Sequence, residues 1–350
     1  TYLTRTQWDA GAGPDAPAGV EVIGLNAGRE LYTASGRRRI VPPLRFGLAV
    51  LIHLLRSRGR YDIVHTCSFP YFPLLAAVIA KAAGGPAVVV DWVEVWPRDY
   101  WRDYLGAVGG AAGAAVQQLC ISLTGPSFTL SSLAATVLRE HGYRGNPVIL
   151  KGIYDGPVPP TPAAVQREPL VLYAGRHIPE KQVSVIPAAI AVARRRMPDL
   201  RALIFGDGPE RPHVLEEIAR LKLGNVIGCP GFGPPEEIDC AMRAAMCLLL
   251  PSRREGYGLV VVEAAARGTP SIVVEGADNA ATSLIDSGIN GFVAPTAQPA
   301  ALADAILQVH AAGPSMVQST YNWFRDHADE LSVDNSVAQI EQVYRSIING

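Results

Sequence analysis

The sequence predicts an α/β protein of two successive units, on three observations. Short apolar runs recur along the whole chain, with helical periodicity between them. The alternation breaks once, at Gly156-Pro157-Val158-Pro159-Pro160-Thr161-Pro162, a proline-dense linker of polyproline character, and then restarts. A length of 350 residues suffices for two such units with substantial cores. Two α/β units joined by a stiff segment are expected to leave a cleft between them.

In the first unit, residues 20–25, 62–66, 87–92, 127–130 and 148–151 read as strands, with helices over 44–58 and 73–83. The stretch 105–138 has no charged residue and is rich in Gly, Ala, Ser and Gln, with Pro126 inside it. It is too polar for a membrane span and reads as buried helix, strand and helix. In the second unit the strands fall at 170–174, 202–205, 225–227, 246–250, 271–274 and 291–294. A last helical pattern, 333–348, follows a break near Leu331-Ser332-Val333-Asp334.

Composition narrows the function classes. Apolar residues make up 49% and charged residues 18%, which marks a globular chain rather than a disordered one. The formal charge of −1, from 31 basic and 32 acidic residues, argues against nucleic acid as a partner. Lysine occurs only at 81, 151, 181 and 222. Five cysteines (67, 120, 229, 240, 247) without a C-x-x-C pair fit reduced thiols in a cytoplasmic protein better than disulfides or zinc. No signal peptide is visible.

The most informative segment is Pro251-Ser252-Arg253-Arg254-Glu255-Gly256-Tyr257-Gly258-Leu259, followed by Glu263. It carries the chain from an apolar strand through a glycine-bearing turn into an Ala-rich helix. In an open parallel sheet, ligands bind beyond the carboxyl ends of the strands, where this turn falls. The backbone N–H groups of Gly256, Tyr257, Gly258 and Leu259 would open the helix and suit a phosphate oxygen. Ionised Glu255 and Glu263 beside that anion site suit the hydroxyls of a sugar, although either glutamate alone is more often structural.

Further candidates stand at other strand ends. Gly175-Arg176 and Glu180-Lys181 place two cations five residues apart before a helix, able to clamp a diphosphate; a solvated basic loop is the plainer alternative. Gly206-Asp207-Gly208-Pro209 allows close backbone approach, though helix-capping turns look the same. Phe232 offers a face on which a base can stack, with a core phenylalanine as the commoner case.

Taken in order, these pieces resemble the retaining glycosyltransferases of family four, of the GT-B fold with two Rossmann-like domains, within the glycogen and sucrose synthase-like superfamily. The resemblance covers 169–295 closely and extends to Gly268-Thr269-Pro270 and Asp286-Ser287-Gly288-Ile289-Asn290-Gly291. It implies that Arg176 and Lys181 hold the donor diphosphate, with backbone near Gly258 and Leu259. It likewise gives Glu263 the nucleotide ribose and Glu255 the hydroxyls of the transferred sugar. Glu255, Arg176 and Lys181 become the candidate catalytic set. Gly175, Gly206, Asp207, Gly208, Phe232, Gly256, Tyr257, Gly258, Leu259 and Glu263 become the candidate donor-binding set. The reaction would retain configuration and use no metal or cofactor, with a UDP- or GDP-linked sugar as co-substrate. Two fixed cations and a helix N-terminus can stabilise a leaving diphosphate in place of a divalent ion, and no Asp-x-Asp occurs.

The resemblance divides the chain into an acceptor-side domain (1–155), a nucleotide-sugar domain (156–320) and C-terminal helices (321–350) that cross back onto the first. The chain starts at Thr1 in mid-pattern, so the first domain is expected to lack its first strand and Gly-rich loop. His65 and Ser68, at a strand end, and Glu94, in the aromatic segment 90–101, are the acceptor-side candidates. Trp residues there serve a sugar face or a core equally. Many relatives carry a His near the position of Val93. That departure keeps a second reading open, a GT-B-like nucleotide-binding or partner subunit with little transfer activity. A nicotinamide oxidoreductase is disfavoured for want of a complete dinucleotide fingerprint. Arg29, Arg37, Arg38, Arg39, Arg45, Arg56, Arg58 and Arg60, beside an apolar helix, suggest peripheral contact with the inner face of a membrane; a solvated surface is the alternative. The acceptor, whether glycan, lipid or small molecule, is not legible.

Overall fold

The computed structural model describes residues 1–6, 13, 16–27, 39–158 and 167–350. Arg29, Arg37 and Arg38 lie outside the described residues, as does the later part of the proline-dense linker. The chain divides into one unit of Thr1–Leu150 with Gln339–Gly350 and a second of Lys151–Ala338.

The first unit contains β1 (Tyr2–Thr6), β2 (Val22–Ala27), β3 (Ile63–Cys67), β4 (Ala87–Asp91), β5 (Ser127–Thr129) and β6 (Val148–Ile149). Its helices are α1 (Val41–Arg56), α2 (Tyr71–Ala82), α3 (Arg98–Leu123) and α4 (Ser132–Glu140). Strands β3 to β6 form a parallel sheet in chain order, while β1 and β2 pair in parallel as a sheet of their own. The sequence reading assigned no element to Tyr2–Thr6. Its side chains alternate without a clean apolar face, so its pairing with Val22–Ala27 is a tertiary signal.

Successive residues of β4 point to opposite faces, and each face meets a different layer. Val88 and Val90 pack with Val50, Leu54, Leu74, Ile121 and Leu138, placing α1 to α4 on one side. Val89 turns the other way, with Phe128, Leu150 and the C-terminal Ile340, Val343 and Tyr344. Pro42 and Pro43 open α1, where their missing N–H groups cost nothing. Gly47 lets α1 lie directly on α2, since a Cβ there would come within 2.7 Å of the Phe72 backbone.

The buried Gln117 of α3 braces the segment leading into that helix. Its Oε1 accepts from Tyr71 Oη (3.0 Å), Trp96 N (2.9 Å) and Trp101 Nε1 (3.2 Å), and its Nε2 donates to Trp96 O (2.9 Å). The rest of α3 corrects an expectation. Only five of its residues are buried, and Val108 is 87% exposed. Gly106, at φ 77°, breaks the helix into a short first piece and a longer apolar second one, and only the two together have the length and composition of a membrane span. Periodicity could not reveal this, because Ala and Gly dominate the sequence and give no contrast between faces.

The second unit is built on β7 (Glu168–Ala174), β8 (Arg201–Phe205), β9 (Ile227–Gly231), β10 (Ala245–Leu250), β11 (Arg254–Glu255), β12 (Ser271–Val274), β13 (Asp278–Asn279) and β14 (Gly291–Ala294). Its helices are α5 (Ile186–Ala193), α6 (Arg211–Arg220), α7 (Pro235–Ala244), α8 (Leu259–Ala266), α9 (Pro299–Ala312) and α10 (Pro314–Leu331), with the start of α11 (Val333–Asn349). Six strands form one parallel sheet in the order β14-β12-β10-β7-β8-β9, and β11 pairs separately with β13. This is the doubly wound order, with chain direction reversing between β7 and β10. Both central strands are continuous apolar runs because helices cover both faces, which is why the sequence announces them so clearly.

Candidate functional site

The switch point of a doubly wound sheet leaves an opening at the carboxyl ends of the two diverging strands. Here those ends carry the Gly175–Lys181 and Pro251–Gly258 segments. The structure joins them: Arg253 N donates to Glu180 O at 2.9 Å, and Lys181 Nζ forms an ion pair and hydrogen bond with Glu255 Oε2. Ser252 Oγ donates to the same oxygen at 3.2 Å. These side chains are about 85% buried, at 15% and 14% exposure, so the pair is weakly screened by solvent. Two residues 74 apart in sequence thus meet at the predicted point.

Asn279, which sequence reasoning missed, fixes this loop from beneath. It is buried, and its Nδ2 donates to Ser252 O (2.9 Å) and Val274 O (2.8 Å), while its Oδ1 caps the following turn at Ala281 N (3.1 Å). Arg176 is exposed, and among the described residues its guanidinium makes no hydrogen bond or ion pair; Tyr173 Oη holds its carbonyl at 2.9 Å. The anchored backbone with a free cationic fork is suited to an anionic ligand.

Gly258 caps α8 in the left-handed region, at φ 102°, and a Cβ there would approach Ala281 Cβ to 2.8 Å. Glycine therefore lets the chain enter α8 and leaves its first N–H groups without intrahelical acceptors. Gly256 and Leu259 are half-buried beside it. Tyr257 turns inward instead, buried, with its hydroxyl donating to Lys151 O, so its side chain serves as an anchor. Glu263 lies over a turn into α8. Burial pushes its carboxyl above the ordinary range, Asp155 adds to the rise, and Arg267 opposes it. Among the described residues no hydrogen bond reaches that carboxylate; Arg267 Nη1 donates to the Glu263 carbonyl (2.8 Å) and Arg267 Nε to Asp239 (2.5 Å).

The neighbouring strand ends close the other side. Gly175 N donates to Phe205 O (3.2 Å) and Gly206 N to Gly231 O (2.7 Å). Asp207 Oδ1 accepts from Gly208 N at 2.7 Å, a capping role. Phe232 corrects the bland expectation of a core residue: it is 77% exposed just past β9. His177 was also missed. It is fully buried between the two turns, with His177 N donating to Asp207 O and Glu210 N to His177 O, both at 2.9 Å. Both ring nitrogens lack a partner among the described residues, and desolvation holds the imidazole below its ordinary pKa. Nothing in the sequence but its neighbours could have flagged it.

The acceptor-side candidates lie in the first unit. His65 Nε2 meets Asp91 Oδ1 (2.7 Å) and its Nδ1 meets Tyr344 Oη (2.5 Å). Ser68 is buried, its N–H on Asp91 O at 2.9 Å. Glu94 is exposed and accepts from Trp96 Nε1 at 2.7 Å. Of the tryptophans there, Trp92 and Trp101 belong to the core. A cavity of about 450 Å³ is lined by His65, Cys67 and Asp91 with Tyr2 and Leu3. A larger one, about 760 Å³, opens at the amino ends of β7, β10 and β12, among Arg167, Met197, Met246, Pro270 and His310. It stands at the end of the sheet opposite the candidate site and holds none of its residues. Among the described residues no three His, Cys, Asp or Glu side chains form a metal-holding group.

Residues 160–322 match the family model of glycosyl transferases group 1. The chain is 32% identical over 190 residues to a D-inositol 3-phosphate glycosyltransferase of Streptomyces griseus, covering 51% of this chain and 39% of that protein. It is 33% identical over 138 residues to an alpha-D-kanosaminyltransferase of Streptomyces kanamyceticus, covering 39% and 35%. The chain thus spans less than half the length of these relatives. In fold it is similar to sucrose-phosphate synthase of Thermosynechococcus elongatus (TM-score 0.73, 18% identity, 99% of this chain and 88% of that one). It is also similar to Anabaena Alr3699/HepE in complex with UDP (TM-score 0.71, 18% identity, 93% and 86%). The fold is that of the GT-B glycosyltransferases, and residues 160–322, which hold every candidate of the donor set, match glycosyl transferases group 1.

Proposed function

We propose that this protein is a glycosyltransferase that moves a sugar from a UDP- or GDP-linked donor to an acceptor, with retention of configuration and without a metal. The observation that carries the reading is the meeting of Lys181 and Glu255 at the switch point, beside the exposed Arg176 and the amino end of α8. Breaking the bond between the anomeric carbon and the diphosphate leaves negative charge on the phosphate. Lys181, Arg176 and the α8 amides stand where they stabilise it. Glu255 takes hydroxyls of the transferred sugar and Glu263 those of the ribose, each as an ionised acceptor. Phe232, exposed at its strand end, stacks on the base. Relatives named for sugar transfer and a structural neighbour solved with UDP support the donor class. His65, Ser68 and Glu94 remain acceptor-side proposals. Five free thiols suit a reducing cytoplasm.

Titration calorimetry with UDP and GDP tests the reading. Lys181→Ala and Glu263→Ala should each weaken binding by about tenfold or more, the worth of a hydrogen bond to a charged group. Unchanged affinity in both variants would overturn it. A second reading, a nucleotide-binding subunit with little transfer, is favoured by Val93, 41% exposed and without a polar group. Nucleotide binding without hydrolysis or transfer from any of a panel of nucleotide sugars would select it.

A further inference from the structure

Helices α1 to α4 cover one face of the first unit's sheet, so the outer side of α1 forms part of that unit's surface. On it Val41, Leu44, Leu48 and Ile52 are 54%, 50%, 57% and 40% exposed. Their spacing of three, four and four residues keeps them on one stripe, opposite the buried Val50 and Leu54. An apolar helix face left in water is costly, and a soluble surface helix normally puts charge there.

The charge around the stripe points to its occupant. Residues 39–61 contain Arg39, Arg45, Arg56, Arg58 and Arg60 and not one Asp or Glu, in a chain whose net charge is −1. Arg45 and Arg56 are both exposed and, about three helical turns apart, stand on the same flank of the stripe, Arg56 one turn beyond Ile52. Long guanidinium side chains that flank exposed leucines can reach outward while the leucines enter an apolar layer. On the same side of the sheet, α3 carries no charge from Tyr104 to Leu123 and exposes Val108 and Leu119. Arg60 is already paired with Glu21 (2.5 Å), so the basic flank rests on Arg45 and Arg56, and an apolar stripe with a basic flank suits an anionic lipid surface better than a neutral protein partner.

We propose that the outer face of α1 seats this protein on an anionic membrane surface, with Leu44, Leu48 and Ile52 entering the headgroup boundary and Arg45 and Arg56 pairing with lipid phosphates. The inference goes beyond the donor-site reading and does not rest on it.

The test is sedimentation of the 350-residue chain with vesicles of phosphatidylcholine, with and without phosphatidylglycerol. Binding is expected only to the anionic vesicles and should fall steeply with salt. Arg45→Ala and Arg56→Ala should each weaken partitioning by about fivefold, the worth of one basic residue near such a surface. Leu48→Glu combined with Ile52→Glu should abolish it, with an unchanged melting temperature because both positions face solvent. Absence of binding at low salt, equal binding to uncharged vesicles, or unaltered binding of the glutamate variant would each overturn the proposal. So would a dimer that the glutamate variant dissociates in the absence of any vesicle binding, which would assign the stripe to a second copy of the chain.

Discussion

Desolvation raises the Glu263 carboxyl above its unfolded value, and this gives the residue a signature that a surface glutamate lacks. A group whose folded pKa is raised contributes stability only while protonated. That contribution is complete below the unfolded carboxyl range, near pH ~4.3, and is lost as pH rises through the folded value. At neutral pH the ionised side chain therefore detracts from the fold, as expected of a group kept for a ligand. Glu263→Gln is expected to melt higher than the parent at pH 7.5, with the difference closing toward pH 4, while UDP affinity falls by about tenfold. Melting curves across pH and calorimetry on the same samples check both halves. His177 behaves in the opposite sense. Its folded pKa is depressed by burial, so the neutral ring's contribution is full above about pH 6.5 and is lost as pH falls from there through the folded value. Because, among the described residues, neither buried ring nitrogen meets a partner in hydrogen-bond geometry and the Phe205 backbone only weakly offsets the desolvation, His177→Leu should gain about 1 kcal/mol at neutral pH. It should also flatten the parent's acid loss of stability below pH ~6.5, measured by denaturant titration.

At the scale of elements, Arg167 is to the amino ends of the second sheet what Asn279 is to its carboxyl ends. Its guanidinium, half-buried just before β7, donates to Met242 O (3.1 Å), Ala245 O (3.2 Å), Thr269 Oγ1 (2.7 Å) and Arg267 O (2.6 Å). It thereby ties the turns after α7 and α8 to the central strand. Burial lowers its pKa to about 10, which still leaves it charged at neutral pH. Arg167→Met would remove four hydrogen bonds at once, Met242 O keeping a second donor in Thr269 Oγ1 (2.5 Å), and should cost about 3 kcal/mol, or roughly 6–10 °C in melting temperature. A drop of only a degree or two would show that water replaces it. The same elements explain what the sequence could reveal. Strands β7, β8, β10, β12 and β14 were legible to within two residues because they are apolar runs bounded by Gly and Pro. Glu255, Lys181 and Arg176 were legible because their loops follow such strands. Tyr2–Thr6 was not, since a short strand of mixed polarity is defined by its partner. Neither Asn279 nor His177 carries a local signal, because each acts through backbone groups that only the folded chain brings near.

For the whole molecule, the two units divide the proposed tasks, and hydrogen exchange can read that division directly. Every donor-side candidate falls in Lys151–Ala338, on segments that follow β7, β8, β9 and β10. The lipid-facing stripe and the acceptor-side candidates fall in the other unit. A nucleotide bound only to the folded state stabilises by about 2.7 kcal/mol at a hundredfold excess over its Kd. That gain appears as slowed exchange where the ligand suppresses local opening. Saturating UDP is therefore expected to protect residues 175–181, 206–210 and 251–263, and to leave 41–56 and 65–68 at their parent rates. Anionic vesicles should produce the reverse pattern, protecting 41–56 alone. Protection by UDP confined to 65–68 and 91–94 would move the nucleotide site into the first unit and remove Lys181, Glu255 and Glu263 from the donor assignment. Because the two ligands are read in one experiment on one protein, neither pattern can be mistaken for a general tightening of the fold.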